Sequence, residues 1–174
     1  TVHVFSDKDL PKLVGRPQIP ENWRRMRAID YGYTNPFVCL WAAIDHDGRV
    51  YIYDEHYRSR TLIRDHATAI HARGGNISYT VADHDAQDNA EMHAQGIMTY
   101  PATKDVILGI QRTKARFDVQ QDGRPRIYIH ERCVNLRREL KMYQWAEPKG
   151  EFVKEEPVKE NDHAPDALRY LVMA

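Results

Sequence analysis

Three neighbouring stretches decide the architecture: Met26-Arg27-Ala28-Ile29-Asp30-Tyr31-Gly32, then Phe37-Val38-Cys39-Leu40-Trp41-Ala42-Ala43-Ile44, then Val50-Tyr51-Ile52-Tyr53-Asp54-Glu55. The first reads as a strand over about residues 26–33. The second is apolar throughout, the pattern of a strand buried on both faces. Asp45-His46-Asp47-Gly48 carries the Asp-Gly signal of a hairpin and leads into the third. Three consecutive strands joined by short turns predict an antiparallel meander.

Beyond residue 60 the apolar period changes. Leu62, Ile63, His66, Ala67, Ile70 and His71 follow helical spacing, and Gly74-Gly75 ends that helix. Short strands are expected at Tyr79–Asp83, Gly96–Pro101 and Arg126–His130, with helices over 87–95, 104–118 and 133–145. Residues 147–160, with Pro148, Gly150 and Pro157, read as a charged loop or hairpin. Pro165 is tolerated only in a first turn, so it fixes the start of a last helix, capped by Asp162 or Asn161. A meander followed by alternating strands and helices predicts an α/β fold: a mixed sheet of antiparallel and parallel strands flanked by helices. Pro11, Pro17 and Pro20 make residues 1–22 a lead-in, with the domain proper at 23–174.

Composition excludes several classes. The chain has 174 residues, of which 42% are hydrophobic, enough for a packed core and too many for a disordered chain. Its two cysteines, Cys39 and Cys133, form no CxxC pair, which speaks against a disulfide framework or a zinc ribbon. No apolar run reaches the roughly 18 residues of a membrane span. Lys+Arg and Asp+Glu are both 25, a balance unlike the basic character usual in nucleic-acid proteins. That zero hides blocks of charge. Residues 30–101 carry five Lys/Arg against ten Asp/Glu, whereas residues 102–141 carry ten against five. An acidic centre beside a basic stretch suits a metal-dependent enzyme acting on a polyanion.

Three acids stand out. Asp30 lies inside an apolar strand, where an unpaired carboxylate costs several kcal/mol and calls for a cation or a proton. Gly32, two residues on, leaves room on the same face. Asp83 ends the strand Tyr79–Asp83, and strand carboxyl ends are where α/β sheets bind ligands. Asp85 and Asp88 follow it as candidate caps of the next helix. Asp162, His163 and Asp166 share one face of the last helix by i, i+3 and i, i+4 spacing. Acids mid-strand, at a strand end and in a first helical turn can converge on one or two divalent cations, and hard oxygen donors suit Mg²⁺ or Mn²⁺.

At these residues the sequence resembles the C-terminal nuclease domain of bacteriophage terminase large subunits, the DNA-packaging motors with an RNase H-like nuclease fold. The similar stretches are Ala28–Pro36, Tyr53–Tyr57, Val81–Asp83, Pro101–Lys104 with Ile107–Gln111, Ile127–His130 and, most specifically, Asp162–Tyr170. Carried over by position, the resemblance makes Asp30, Asp83 and Asp166 the metal-binding catalytic triad and His163 a ligand or proton carrier beside it. The family's turn after the second acid runs small residue, Glu, Pro. Here it reads His84-Asp85-Ala86, so Asp85 becomes an extra or alternative metal ligand.

The resemblance further implies a metal-dependent endonuclease that cuts concatemeric double-stranded DNA during genome packaging, by two-metal-ion hydrolysis with little sequence preference. Partners would be the ATPase domain of the same full-length chain, the portal protein and the small terminase subunit, in the host cell cytoplasm and away from membranes. No G-x-x-x-x-G-K-[ST] occurs, so residues 1–22 would be the linker from an ATPase domain. Lys104, Arg112, Lys114 and Arg116 are the candidate contacts to the DNA backbone. The alternatives are another RNase H-like nuclease, of the Holliday-junction resolvase or RNase H type, and a catalytically silent domain that binds DNA or the portal.

Overall fold

The structure, a computed structural model, describes residues 2–10, 12–13, 16–103, 105–143 and 162–174. The meander forms as expected. Strands β4 (Arg24–Asp30), β5 (Phe37–Ile44) and β6 (Val50–Arg58) pair antiparallel in sequence order. Strand β7 (Tyr79–Ala82) joins β4 in parallel, and β9 (Ile127–His130) joins β6 in parallel. Two short strands finish the edges: β8 (Tyr100–Pro101) beside β7, and β1 (Val4–Phe5) beside β9. The seven-stranded order is β1-β9-β6-β5-β4-β7-β8. Strands β2 (Lys12–Leu13) and β3 (Arg16–Pro17) make a separate two-stranded ribbon.

The lead-in therefore contributes to the sheet. Val4 and Phe5 extend it past β9, and Phe5 is buried edge-on against Tyr51 and His130. A two-residue strand is too short for alternation to reveal. The strand expected over Gly96–Pro101 shrinks to Tyr100–Pro101, because Ile97 turns into the core beneath Met92 before pairing begins. The charged segment 147–160 and Asn161 lie outside the described residues.

Helices cover both faces. On one side α1 (Ile63–Ala72) and α2 (Ala86–Ala94) close a core of Ile29, Phe37, Cys39, Trp41, Ile70 and Met92. On the other, α4 (Val134–Met142) and α5 (His163–Met173) close a core of Ala28, Val38, Leu40, Ile52, Leu136 and Leu168. Helix α3 (Val106–Phe117) packs on α5. Strand β5 supplies alternate residues to both cores, which is why its sequence is apolar without interruption. Cys39 and Cys133 are buried and unpaired, one on each side. Among the described residues no helix is long and apolar enough to cross a membrane.

Candidate active site

Strand register brings the first two acids together. Ala28 pairs with Val81 and Ile29 with Ala82, and the Asp83 N–H donates to the Ile29 carbonyl at 3.1 Å. Asp83 therefore extends the parallel ladder to lie beside Asp30, about 4.8 Å away in the pairing direction. Both follow by two residues the pair Ala28 and Val81, which face the α5 core, so both carboxylates face the same way. Gly32 holds the turn after Asp30. A Cβ there would stand 2.6 Å from the carbonyl oxygens of Asn35 and Pro36, so backbone fills the space that its sequence position left open.

Helix α5 delivers the third acid. Its first turn crosses the end of β4, placing His163 Nδ1 3.4 Å from Asp30 Oδ2. Asp166 lies one turn on, and Arg169 Nη2 reaches its Oδ1 at 3.3 Å. Asp162 is buried, with its Oδ1 3.9 Å from His163 Nε2. It occupies the N-cap position, yet its side chain makes no capping hydrogen bond; Asn161, the other expected cap, lies outside the described residues.

Electrostatics report the same convergence. Burial, opposed by the hydrogen bond to His163 and reinforced by the charge on Asp83, pushes the Asp30 carboxyl up to about 6. Burial and then the charge of Asp30 push Asp166 up to about 7, against the pull of Arg169. His163 is raised by its hydrogen bond to Asp30, partly offset by burial. The Tyr170 phenol is raised by burial and then by Asp30, Asp83 and Asp166 together, so all three carboxylates act on one spot. Among the described residues no three Asp, Glu, His or Cys side chains are drawn into a ready metal shell. The site is a convergence of hard donors, not a closed cage. Its chemistry still fits a hard divalent cation: oxygen donors dominate, and their mutual repulsion is what such a charge would relieve.

The other candidates divide. Asp85 caps α2, its side chain accepting from the Asp88 N–H at 2.9 Å. Lys104 lies outside the described residues. Arg112 and Lys114 are exposed on α3. Arg116 sits at the far end of that helix, where its Nη1 donates to the Gly48 carbonyl at 3.3 Å. Val38, the partner of Asp30, and Ile44 are separated by about 20 Å of strand, and the Gly48 turn lies beyond. Arg116 thus braces the opposite end of the sheet from the acids. An open cleft of about 460 Å³ borders Asp83, lined by Tyr31, Tyr33, His84, Asp85 and Asp88.

The family model for the terminase RNase H-like domain matches residues 30–173, from the first of these acids through the last helix. The chain belongs to the terminase RNase H-like domain family. No curated protein matches the chain. Among solved structures it is similar to the large terminase of a thermophilic bacteriophage in complex with ADP, at 22% identity and TM-score 0.77, covering 98% of this chain and 41% of that one. The P22 large terminase nuclease domain is 21% identical with TM-score 0.74, covering 90% and 83%. The SPP1 large terminase nuclease domain with bound Mn is 16% identical with TM-score 0.66, covering 84% of each chain. At these identities the likeness is one of fold. The terminase domain spans about two fifths of the length of the ADP-bound phage protein.

Sequence reasoning did not single out Arg169, Tyr170 or Glu139 as site residues. Arg169 and Tyr170 border the acids from the same helix, whereas Glu139 acts from α4, where it accepts the Ala164 N–H.

Proposed function

We propose that this terminase domain is a divalent-metal-dependent endonuclease that cuts double-stranded DNA with little sequence preference. The observation carrying this is the convergence of Asp30, Asp83 and Asp166 from β4, the end of β7 and the first turn of α5. The Mn in the SPP1 nuclease structure supports a hard or borderline divalent ion as the cofactor. Here Mg²⁺ or Mn²⁺ would be held by the three carboxylates, with Asp30 between the other two.

Such a cation supplies charge stabilisation at the scissile phosphate and makes water more acidic when bound. The chain's own residues do the positioning. Asp30 orients His163 through Nδ1, leaving His163 to hold or pass a proton at the edge of the site. Arg169 fixes the Asp166 carboxylate. In the hydrolysis a water gives up one proton as its oxygen bonds to phosphorus, the bond to the 3′ oxygen breaks, and that oxygen takes up a proton, so no net proton is gained or lost in forming the 3′ hydroxyl and the 5′ phosphate monoester. The acidic cleft beside Asp83 repels phosphate unless cations neutralise it, which couples DNA entry to metal.

In the parent protein the reaction would cut concatemeric genomes during packaging in the host cytoplasm, beside the ATPase domain, the portal and the small subunit. The lead-in of residues 1–22 would then connect to the ATPase domain, with its Val4–Phe5 strand already part of the nuclease sheet, and Lys104, Arg112 and Lys114 would hold the DNA backbone.

Plasmid digestion with Mg²⁺, Mn²⁺ or EDTA, beside Asp30→Asn, tests the proposal. Supercoiled DNA should become nicked and linear with metal and stay intact with EDTA or with the variant. Cleavage that ignores both treatments overturns it. A strong preference for junctions or RNA–DNA hybrids would move the assignment to another RNase H-like nuclease.

A further inference from the structure

We propose that Glu139 is a positioning residue for this site: its carboxylate, buried under α4, fixes the first turn of α5 and so the placement of His163 and Asp166. The consequence for metal and DNA rests on the function proposed above; the placement itself does not.

Glu139 is 1% exposed, on the face of α4 that turns Leu136 and Leu140 inward and continues to the buried Tyr143 at its C-cap. A carboxylate there costs several kcal/mol unless both oxygens are satisfied. They are. The Ala164 N–H donates to Oε1 at 2.9 Å, and the Tyr57 hydroxyl donates to Oε2 at 2.8 Å. Arg138 reaches the outer side, its Nη2 3.2 Å from the Tyr57 hydroxyl and 4.0 Å from Oε2.

The start of α5 needs this partner. Asp162 provides no side-chain cap, and Pro165 has no N–H. The Asp166 N–H already donates to the Asp162 carbonyl at 2.8 Å. Ala164 is therefore the second-residue donor that a local cap would have taken. A negative charge at a helix N-terminus also gains from the helix dipole.

Helix α4 is anchored in the same manner. It too lacks a side-chain cap at Cys133, and Glu55 of β6 accepts from the Asn135 and Leu136 N–H groups at 2.8 and 2.9 Å. Two tertiary carboxylate caps in series thus tie the sheet to α4 and α4 to the helix that carries Asp166.

The test compares Glu139→Ala, Glu139→Gln and Tyr57→Phe with Asp166→Asn, using hydrogen exchange at the Ala164 amide, Mn²⁺ titration by calorimetry, and plasmid cleavage. Glu139→Ala should speed Ala164 exchange about tenfold. It should weaken Mn²⁺ binding and lower kcat by about tenfold or more, with KM for DNA little changed. Glu139→Gln keeps an oxygen for Ala164 and should recover most of each loss, whereas Tyr57→Phe, which takes away the donor to Oε2, stands in if the alanine variant does not fold. Tyr57→Phe should fall between them. Asp166→Asn should lose Mn²⁺ but keep Ala164 protected.

Unchanged Ala164 protection in Glu139→Ala overturns the proposal, as does lost protection with unaltered Mn²⁺ affinity. If the wild-type chain neither binds Mn²⁺ nor cleaves DNA, the proposed function fails instead, and the Ala164 comparison, which needs no metal, still decides the anchoring.

Discussion

Gly109 of α3 lies directly on the stem of Arg169 in α5: a Cβ at position 109 would stand 2.7 Å from Arg169 Cγ and 2.9 Å from its Cδ. Those are the inner atoms of a side chain that is 10% exposed and whose tip holds Asp166, so they cannot swing away freely. Gly109→Ala gains about 1 kcal/mol of helix propensity. Overpacking costs about 1–3 kcal/mol, so the net should be destabilising by about 1 kcal/mol. Activity should fall further than stability explains, because Arg169 must leave Asp166 to make room. Thermal unfolding beside kcat on plasmid DNA checks this. A variant of normal kcat would mean that Arg169 does not hold the acid in the working enzyme.

A second prediction concerns acid. His56 and His66 share a 2.8 Å hydrogen bond under the sheet, with Phe37 stacked on His66 at 3.8 Å between centroids. Burial holds both imidazoles down to about 4, helped at His56 by the charges of His66, Arg73 and Arg58 and at His66 by that of Arg58, with Asp65 opposing. A folded value below the unfolded one means that the unfolded chain binds more protons. The pair's stabilisation is therefore complete above about pH 6.5 and lost as pH falls from there towards 4. At about 1.4 kcal/mol per unit, the first proton alone costs on the order of 3 kcal/mol. Asp30 and Asp166 act in the opposite sense, since their raised values favour the folded state as pH falls. Denaturant unfolding of wild type against His56→Leu/His66→Leu isolates the pair: the gap between the two should narrow from pH 7.5 to pH 5. A constant gap would show that these imidazoles are not held neutral.

Metal should stabilise the fold as well as activate it. A ligand present at a hundred times its Kd adds about 2.7 kcal/mol. For a chain of this size that is a rise in Tm of roughly 5–10 °C. Mn²⁺ should produce such a rise at pH 8 in wild type and not in Asp30→Asn or Asp166→Asn. At pH 5 protons occupy the same carboxylates, and the rise should shrink. An equal rise in the variants would place the ion elsewhere.

The sheet was readable because its signals are local. The apolar run of β5, the Asp-Gly turn and the helical spacing of α1 each need only a few neighbouring residues. Asp30 showed itself by contrast, as a charge in an apolar strand. Glu139 did not, though a signal existed. It sits in the Arg137-Arg138-Glu139 run, which reads as solvated surface, yet it shares the i, i+3, i+4, i+7 stripe of Leu136, Leu140 and Tyr143. Its role depends on α5 docking across α4, a tertiary contact that periodicity cannot express. The same limit hid β1, whose partner β9 lies more than a hundred residues away.

Asp83 and Asp85 are two residues apart and should behave oppositely. Asp83 extends the β4–β7 ladder to stand beside Asp30, with its Oδ1 also accepting the His84 N–H at 2.7 Å. Asp85 points to the start of α2 and accepts from Asp88. Asp85→Ala should cost about 1 kcal/mol of stability, the usual loss for an N-cap. Its Mn²⁺ affinity and cleavage should stay near wild type. Asp83→Ala should unfold at a temperature close to wild type and lose cleavage by a factor of 100 or more, on the order of 3 kcal/mol in the barrier. Calorimetric Mn²⁺ titration of both variants, with unfolding curves, separates the roles. If Asp85→Ala also loses the ion, the acid set includes the α2 cap, and the helix start must move when metal binds.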